Sequence, residues 1–211
     1  MKKYIAFLFF SFPLSAGLCR YHIKQVEKDL GIPPHTLAAI GHVESGKYCA
    51  YRKHKEAWPW TVYAKGKGHF FQTKTQAQHF IDHLLKEGET NIDIGCMQIN
   101  WQYHHKKFNS VSDMLHPRKN VMFAGQLLKS HYAETKNWEE AVGNYHSKTP
   151  KHHHKYRQQI ELAHQDIKKQ ATQRPSLAPR FKPWRPVPFI REKKFFALQE
   201  NRAERNVRWM R

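Results

Sequence analysis

The sequence predicts a mainly α-helical domain that contains one small β-hairpin, with a leader segment before the domain and a tail after it. Three observations predict this fold class. Apolar residues recur at helical spacing in six stretches, one stretch is rich in aromatic and β-branched residues, and periodicity fades after residue 170. A chain of 211 residues is long enough for one domain of roughly 150 residues with extensions.

The leader at residues 1–17 has the layout of a secretory signal peptide. Lys2 and Lys3 precede an apolar run at 5–12, and small residues follow the run up to Gly17. The apolar run is shorter than the roughly 20 residues that a transmembrane helix needs. We therefore predict cleavage of the leader and export of the chain, with retention as a membrane anchor as the weaker alternative.

The net charge and the cysteine count limit the kinds of partner and metal site that an exported chain can be expected to have. Three cysteines allow one disulfide and leave one thiol over, and their spacing matches no common zinc site. A formal net charge of +19 favours a polyanionic partner. Outside the cytoplasm, the abundant anions are carboxylates and phosphates of the cell wall and of membrane headgroups. We therefore predict no nucleic acid partner.

Two helices are predicted before residue 46. The first spans residues 20–31 and stops at Gly31, a residue typical of helix C-termini. The second begins after two prolines and places Glu44 on the same apolar stripe as Leu37. Burial and the negative end of the helix dipole both favour a protonated carboxyl there, which suits a general acid. The alternative is that Glu44 turns to solvent at a frayed helix end.

One hairpin and four further helices complete the predicted domain. Residues 58–71 surround the turn-prone segment 66–68, which predicts the hairpin. Thr73 and Gln76 form a capping box that starts a helix ending at Gly88. The other helices are indicated by helical spacing at 121–128, by a second capping pair at Asn137 and Glu140, and by a stripe after Pro150 that includes Tyr156.

Residues 171–211 are predicted to be a basic, proline-rich tail beyond a domain at 18–170. Eleven Lys and Arg stand against three Glu in this tail, so its net charge is +8. Its prolines disfavour both helix and central strand, and we therefore predict disorder. The alternative is docking to a membrane surface, the wall or a partner protein, because six aromatic residues are interleaved with the basic ones.

Four motifs stand in order along the predicted domain. They are Glu44-Ser45-Gly46 at the end of the second helix, W-P-W-T-V at 58–62, G-C-M-Q-I-N at 95–100 and A-x-x-x-Y at 141–145. Together they resemble the lytic transglycosylase (SLT domain) family of lysozyme-like enzymes, especially its small exported members. The resemblance covers residues 20 to 165 approximately. It implies an α+β lysozyme-like fold with the small hairpin after the catalytic helix.

The resemblance implies an enzyme that cleaves peptidoglycan between N-acetylmuramic acid and N-acetylglucosamine without a cofactor. Glu44 would protonate the glycosidic oxygen and then accept the proton of the C6 hydroxyl, which gives a 1,6-anhydro product. Gln98 and the backbone at Met97 are expected to contact the sugar N-acetyl group or ring substituents. Tyr145 is expected to hydrogen-bond Glu44 and orient it. Ser45 is either a ligand or a structural residue at the helix end.

Two positions depart from the common motifs of the family. His146 follows the motif tyrosine where the familiar motif has asparagine, so His146 is the candidate to replace that residue as a hydrogen-bond donor. Cys96 replaces the commoner leucine before Met97, which suggests a disulfide beside the cleft. Cys19 is its preferred partner, and Cys49 is the alternative.

Asp93 and the histidine runs are the remaining candidates for chemistry. A hydrolase of this architecture would usually need a second carboxylate to position water, and Asp93 could supply it. The alternative is an aspartate that caps the turn before Gly95. Consecutive histidines at 104–105 and 152–154 point in different directions, so we predict no metal site. The cluster at 151–155 is better explained as a basic rim around an anionic substrate.

Two other functions compete with the transglycosylase. A goose-type muramidase would hydrolyse the same bond, and only the products separate the two enzymes. A wall-docking scaffold of a secretion, conjugation or flagellar complex would have the same fold without catalysis, but the intact Glu44, Gln98 and Tyr145 argue against it. The expected location is the periplasm, with peptidoglycan as the main partner and peripheral contact of the tail with anionic membrane or wall.

Overall fold

The computed structural model describes residues 17–49 and 54–173, and the predicted mainly helical α+β fold is confirmed. The α-helices are α1 (Leu18–Leu30), α2 (Thr36–Ser45), α3 (Lys74–Lys86), α4 (Trp101–His104), α5 (Val111–Met114), α6 (Pro117–Thr135), α7 (Trp138–His146) and α8 (Pro150–Gln173). The strands are β1 (Gly46–Cys49), β2 (His54–Ala57), β3 (Thr61–Ala64), β4 (Lys67–Phe70), β5 (Asp93–Ile94) and β6 (Ile99–Asn100).

The ends of α1 and α3 follow local signals in the sequence. Gly31 ends α1 in the left-handed conformation, with a φ of 62°. At the start of α3, the Thr73 side chain accepts from the backbone of Gln76 and the Gln76 side chain accepts from the backbone of Thr73. Both halves of the predicted capping box are therefore present.

The start of α7 confirms only half of the second predicted capping pair. The Asn137 side chain accepts hydrogen bonds from the first turn of α7, as predicted. Glu140 instead forms ion pairs with His153 and Arg157 of α8. Its predicted role in a capping box is wrong, because the charged guanidinium of Arg157 satisfies the carboxylate better than one backbone N–H.

Two small antiparallel sheets follow α2. β3 and β4 form the predicted hairpin, but its turn lies at Lys65 and Gly66 rather than at 66–68. β5 and β6 extend the hairpin into a sheet of order β4-β3-β5-β6, and β1 pairs with β2 in a separate ribbon. The sequence did not predict these four additional strands, because two to four residues are too few to display alternation.

Helix α2 lies at the centre of the core, against α1, α8 and β2. Leu37 and Ile40 on its apolar stripe are fully buried, and each stabilises the fold by about 2 kcal/mol relative to an exposed side chain. The same stripe runs on to Glu44, as predicted. The packing of α2 therefore fixes where this carboxyl group lies.

Two sequence predictions fall mainly outside the described residues. Residues 1–16 of the predicted signal peptide and residues 174–211 of the predicted tail are not described. Within 17–49 and 54–173, none of the helices has a stretch long and apolar enough to cross a membrane.

Candidate active site

Glu44 is the penultimate residue of α2 and lies where that helix meets α8. Its Oε1 accepts a hydrogen bond from the Tyr156 hydroxyl at 2.5 Å. Burial raises the pKa of Glu44 to about 7, the Tyr156 hydrogen bond opposes this effect, and the charge of Asp93 adds to it. Such a carboxyl group can give and accept a proton near neutral pH. The alternative in which Glu44 turns to solvent is therefore wrong.

Ser45 ends α2 and is buried, with 1% of its surface exposed. Its hydroxyl donates to the carbonyl oxygen of Cys96 at 2.6 Å and accepts from the Trp58 N–H at 3.3 Å. These bonds join the end of α2 to the G-C-M-Q-I-N and W-P-W-T-V segments. These bonds favour the structural role for Ser45, and its role as a substrate ligand stays a prediction.

The G-C-M-Q-I-N segment forms the turn from β5 to β6, and the side chain of Asn120 in α6 holds that turn. The Asn120 amide nitrogen donates to the carbonyls of Ile94 at 2.8 Å and Met114 at 3.1 Å, and its oxygen accepts from Met97 N–H at 2.9 Å. Gly95 has a φ of 86°, and a Cβ there would lie 2.6 Å from the Asn120 amide nitrogen. Only glycine fits this close approach.

Met97 and Gln98 already use part of their hydrogen-bonding capacity inside the protein. The Met97 N–H is bonded to Asn120, so the backbone N–H is excluded as a sugar ligand and only the carbonyl oxygen retains capacity. The Gln98 Nε2 donates to the carbonyls of Thr61 at 3.2 Å and Gly95 at 3.0 Å. Its Oε1 is left to accept a hydrogen bond.

The tyrosine that holds Glu44 is Tyr156 and not Tyr145. The Tyr145 hydroxyl donates to the Met97 carbonyl at 2.9 Å, so the expectation that it hydrogen-bonds Glu44 is wrong. Burial and the nearby charge of Glu44 raise the pKa of Tyr145 well above its usual range. The sequence places Tyr156 on the apolar stripe of α8, which is typical of a core residue. The only signal for its role is the hydroxyl on that stripe.

His146, the last residue of α7, stacks on the ring of Tyr156. The ring centroids are 4.7 Å apart and the ring planes differ by 9°. His146 is exposed on one side, and its partial burial lowers its pKa; the neighbouring His152 acts in the same direction, and Asp93 opposes them. The structure therefore brings His146 into the site, beside the residue that holds Glu44.

Asp93 supplies a second carboxyl group to the site. It lies in β5, where its Oδ1 accepts from the Asn100 side chain at 2.8 Å, so the interpretation as a turn cap is wrong. Burial raises the pKa of Asp93, and the Asn100 hydrogen bond and the charge of His146 oppose this. The charge of Asp93 in turn acts on Glu44. One carboxyl group thus comes from a helix and one from the sheet.

Comparison of the sequence with models of protein families classifies this domain. The model of the Transglycosylase SLT domain matches residues 22–168. The chain belongs to the transglycosylase SLT domain family. Members of this family are typically lytic transglycosylases that act on peptidoglycan. The searches of curated proteins and of solved structures returned no significant match.

A disulfide between Cys19 and Cys96 links α1 of this SLT domain to the turn that carries Gln98. The preferred pairing is confirmed, and Cys49 is left unpaired. A disulfide and an SLT domain are together typical of extracytoplasmic proteins. The turn is therefore held by two residues distant in sequence, Cys19 before it and Asn120 after it.

The two histidines of the run at 104–105 pack against different aromatic residues. His104 packs on Phe123 with ring centroids 5.1 Å apart, whereas His105 stacks on Trp101 at 5.4 Å. In the part of the chain that the structure describes, no three His, Cys, Asp or Glu side chains are grouped so that they could hold a metal ion.

Proposed function

We propose that this protein is a peptidoglycan lytic transglycosylase that cleaves the β-1,4 bond between N-acetylmuramic acid and N-acetylglucosamine. The observation that carries the proposal is the position of Glu44 at the end of α2, where burial raises its pKa to about 7. One carboxyl group of this kind is sufficient for an intramolecular reaction, because the attacking hydroxyl belongs to the substrate.

In the first step, protonated Glu44 donates its proton to the glycosidic oxygen, and the bond between that oxygen and C1 of N-acetylmuramic acid breaks. In the second step, the C6 oxygen of the same sugar bonds to C1 and its proton passes to the Glu44 carboxylate. The product is a 1,6-anhydro sugar, and no water is consumed. Tyr156 keeps the carboxyl group oriented and stabilises its charged form between the two steps.

Substrate contacts are proposed for the acceptors that remain available at the turn from β5 to β6. The Oε1 of Gln98 and the carbonyl oxygen of Met97 are suited to accept from the N-acetyl N–H or from a ring hydroxyl. Tyr145 acts indirectly, because its hydroxyl fixes the Met97 carbonyl.

Periplasmic location and the wider partners are also proposals. The predicted signal peptide, the Cys19–Cys96 disulfide and the family support a periplasmic enzyme with peptidoglycan as its substrate. The net charge of +8 in residues 171–211 supports contact with anionic wall or membrane. A secretion, conjugation or flagellar complex is the proposed setting for such an enzyme.

A goose-type hydrolytic muramidase is the second candidate, and Asp93 is the observation that favours it. Asp93 lies close enough to Glu44 for its charge to raise the pKa of that carboxyl group. A second carboxylate in this position can hold a water molecule or stabilise the cationic intermediate.

Mass spectrometry of the products from purified sacculi tests the proposal. A transglycosylase releases muropeptides that end in 1,6-anhydromuramic acid, and its kcat/KM falls as the pH rises through about 7, because Glu44 must begin protonated. Products one water heavier, with a reducing end, would assign the protein to the hydrolases. Binding to sacculi without cleavage would assign it to the docking scaffolds.

A further inference from the structure

The ring of Tyr156 is held between the core and the imidazole of His146. Tyr156 is 3% exposed, and its hydroxyl reaches Glu44 from α8, a helix distant in sequence. His146 covers the ring from α7 in a nearly parallel stack. Aromatic rings in close contact prefer defined relative orientations. The stack therefore favours one orientation of the phenol.

The two helices that supply this stack are fixed to each other beside it. Arg157, the neighbour of Tyr156, pairs with Glu139 and Glu140 of α7. His153 pairs with Glu140 at 3.3 Å and packs against Gly143 so closely that an added Cβ would overlap its ring. These contacts set the separation of α7 and α8, so the His146 ring meets Tyr156 at a defined place.

The surroundings of His146 suit a neutral stacking ring. Asp93 favours its charged form, while burial and His152 favour the neutral form and lower its pKa. Within the described ranges, the structure gives the ring nitrogens of His146 no hydrogen bond. Stacking on Tyr156 is the contact that orients the ring.

We propose that His146 is a positioning residue, which acts through Tyr156 to keep the phenol hydroxyl on Glu44, rather than a hydrogen-bond donor to substrate. This proposal rests on the proposed function for its importance in catalysis. The positioning itself depends only on the arrangement of His146, Tyr156 and Glu44, whatever the substrate is. The asparagine that commonly follows the motif tyrosine has no ring with which to form this stack.

The pKa of Glu44 is the quantity that separates positioning from other roles. The Tyr156 hydrogen bond lowers this pKa, so a displaced phenol must raise it. We expect Tyr156→Phe to raise the pKa of Glu44 by about one to two pH units, because the charged carboxylate loses its hydrogen bond from the phenol. His146→Ala is expected to raise it in the same direction by a smaller amount.

The test measures the Glu44 pKa in the full-length protein by ¹³C NMR of labelled glutamate, with Glu44→Gln identifying the signal. His146→Phe retains a stacking ring without a charge and is expected to restore the wild-type pKa. His152→Ala removes a neighbouring imidazole but no stack, and is the matched control without a shift. In the Tyr156→Phe background, His146→Ala is expected to add no further shift.

Three results would overturn the positioning role. They are an unchanged Glu44 pKa in His146→Ala, a failure of His146→Phe to restore it, and an equal shift from His146→Ala when Tyr156 is already Phe. The last two would show that the imidazole acts by its own charge. Because NMR needs no turnover, a wild-type protein that fails to release anhydro products would refute the proposed function while leaving this measurement decisive for His146.

Discussion

The two ends of α2 each meet a carboxyl group, buried at Glu27 and half-buried at Glu44, and the two groups are held in different ways. At the N-terminal end, Glu27 of α1 accepts from the backbone N–H groups of His35 at 3.1 Å and Ala38 at 3.2 Å. At the C-terminal end, Glu44 accepts from one phenol, and its other oxygen receives no hydrogen bond from the described residues. Helix N-termini offer free N–H donors, whereas C-termini offer only acceptors.

This difference separates a carboxyl group that caps a helix from one that is suited to exchange a proton with a ligand. Burial raises the pKa of both, but backbone hydrogen bonds oppose the rise at Glu27, while one hydrogen bond from Tyr156 opposes it at Glu44. Glu27 replaces the missing side-chain cap of α2, since His35 at the N-cap position makes no cap hydrogen bond. Glu44 keeps one oxygen available to exchange a proton with a ligand.

Glu44→Gln tests the reactive end and is expected to produce the largest effect. The amide has almost the same shape but can neither donate nor accept the required proton, so kcat should fall by about 1000-fold or more with the fold intact. Release of soluble muropeptides from sacculi measures this loss. Glu27→Gln is the matched control, and we expect it to retain cleavage. A variant Glu44→Gln that stays active would refute the assignment of the site.

Removal of the Cys19–Cys96 disulfide tests how firmly the C-terminal end of α2 is anchored. Ser45 bonds to the Cys96 carbonyl, so the bridge supports the reactive end directly. Replacing both cysteines by alanine should lower the free energy of unfolding by about 2 to 4 kcal/mol, because the bridge closes a loop of 77 residues. Urea unfolding measures the loss, and Cys49→Ala should cause almost none. Peptide mapping that finds Cys49 bonded to Cys96 would contradict the pairing.

The cost of burying Glu44 should appear in the pH dependence of stability. The folded pKa is about 7 and the ordinary value is 4.5, so the folded protein binds the proton more tightly. The stability that this proton provides is complete below pH 4.5 and is lost as the pH rises to about 7. Relative to Glu44→Gln, the wild type should lose up to about 3 kcal/mol between pH 4.5 and 8, at about 1.4 kcal/mol for each pH unit. Parallel denaturation curves for both proteins at all pH values would contradict this.

Glu27→Gln tests the structural end. The amide nitrogen would face a backbone N–H, which leaves one of the α2 donors unsatisfied. We expect a loss of about 1 to 3 kcal/mol in unfolding free energy, without a change in kcat at saturating substrate. Thermal unfolding and muropeptide release measured on the same sample check both parts. A fall in kcat without a loss of stability would mean that the two ends of α2 do not have separate roles.

Asp93→Asn is expected to have the smallest effect and distinguishes the two enzyme classes. The intramolecular attack needs no residue to hold water, so activity should fall by about tenfold or less. Asn100 can still pair with the new amide, which preserves the turn from β5 to β6. An effect as large as that of Glu44→Gln, together with reducing-end products, would favour the hydrolase.

The helices and the position of Glu44 were predictable because their signals are local. Gly31, Thr73 and Asn137 mark helix ends through their own backbone or side-chain chemistry, and Glu44 is marked by its place on an apolar stripe. The partner of Cys96 required the motif as well, since three cysteines alone permit several pairings.

The parts that the sequence did not predict depend on long-range contacts. Tyr156 meets Glu44 across 112 residues, and nothing near Tyr156 distinguishes it from a core tyrosine. Asp93 and Asn100 pair across a turn whose strands are two residues long, and such strands have no readable period. The buried hydrogen bond from Ser45 to the Cys96 carbonyl likewise joins residues that are 51 positions apart.

Asn120 restricts how this protein could be engineered. Its amide supplies two donors and one acceptor to three backbone groups, and it does so in full burial against Gly95. Aspartate would aim an oxygen at two carbonyls, glutamine would be one methylene too long, and leucine would leave three polar groups unpaired. A designer who repacks the interior of this domain must therefore keep both residues, because the left-handed backbone at 95 favours glycine and the three backbone groups around 120 need the amide.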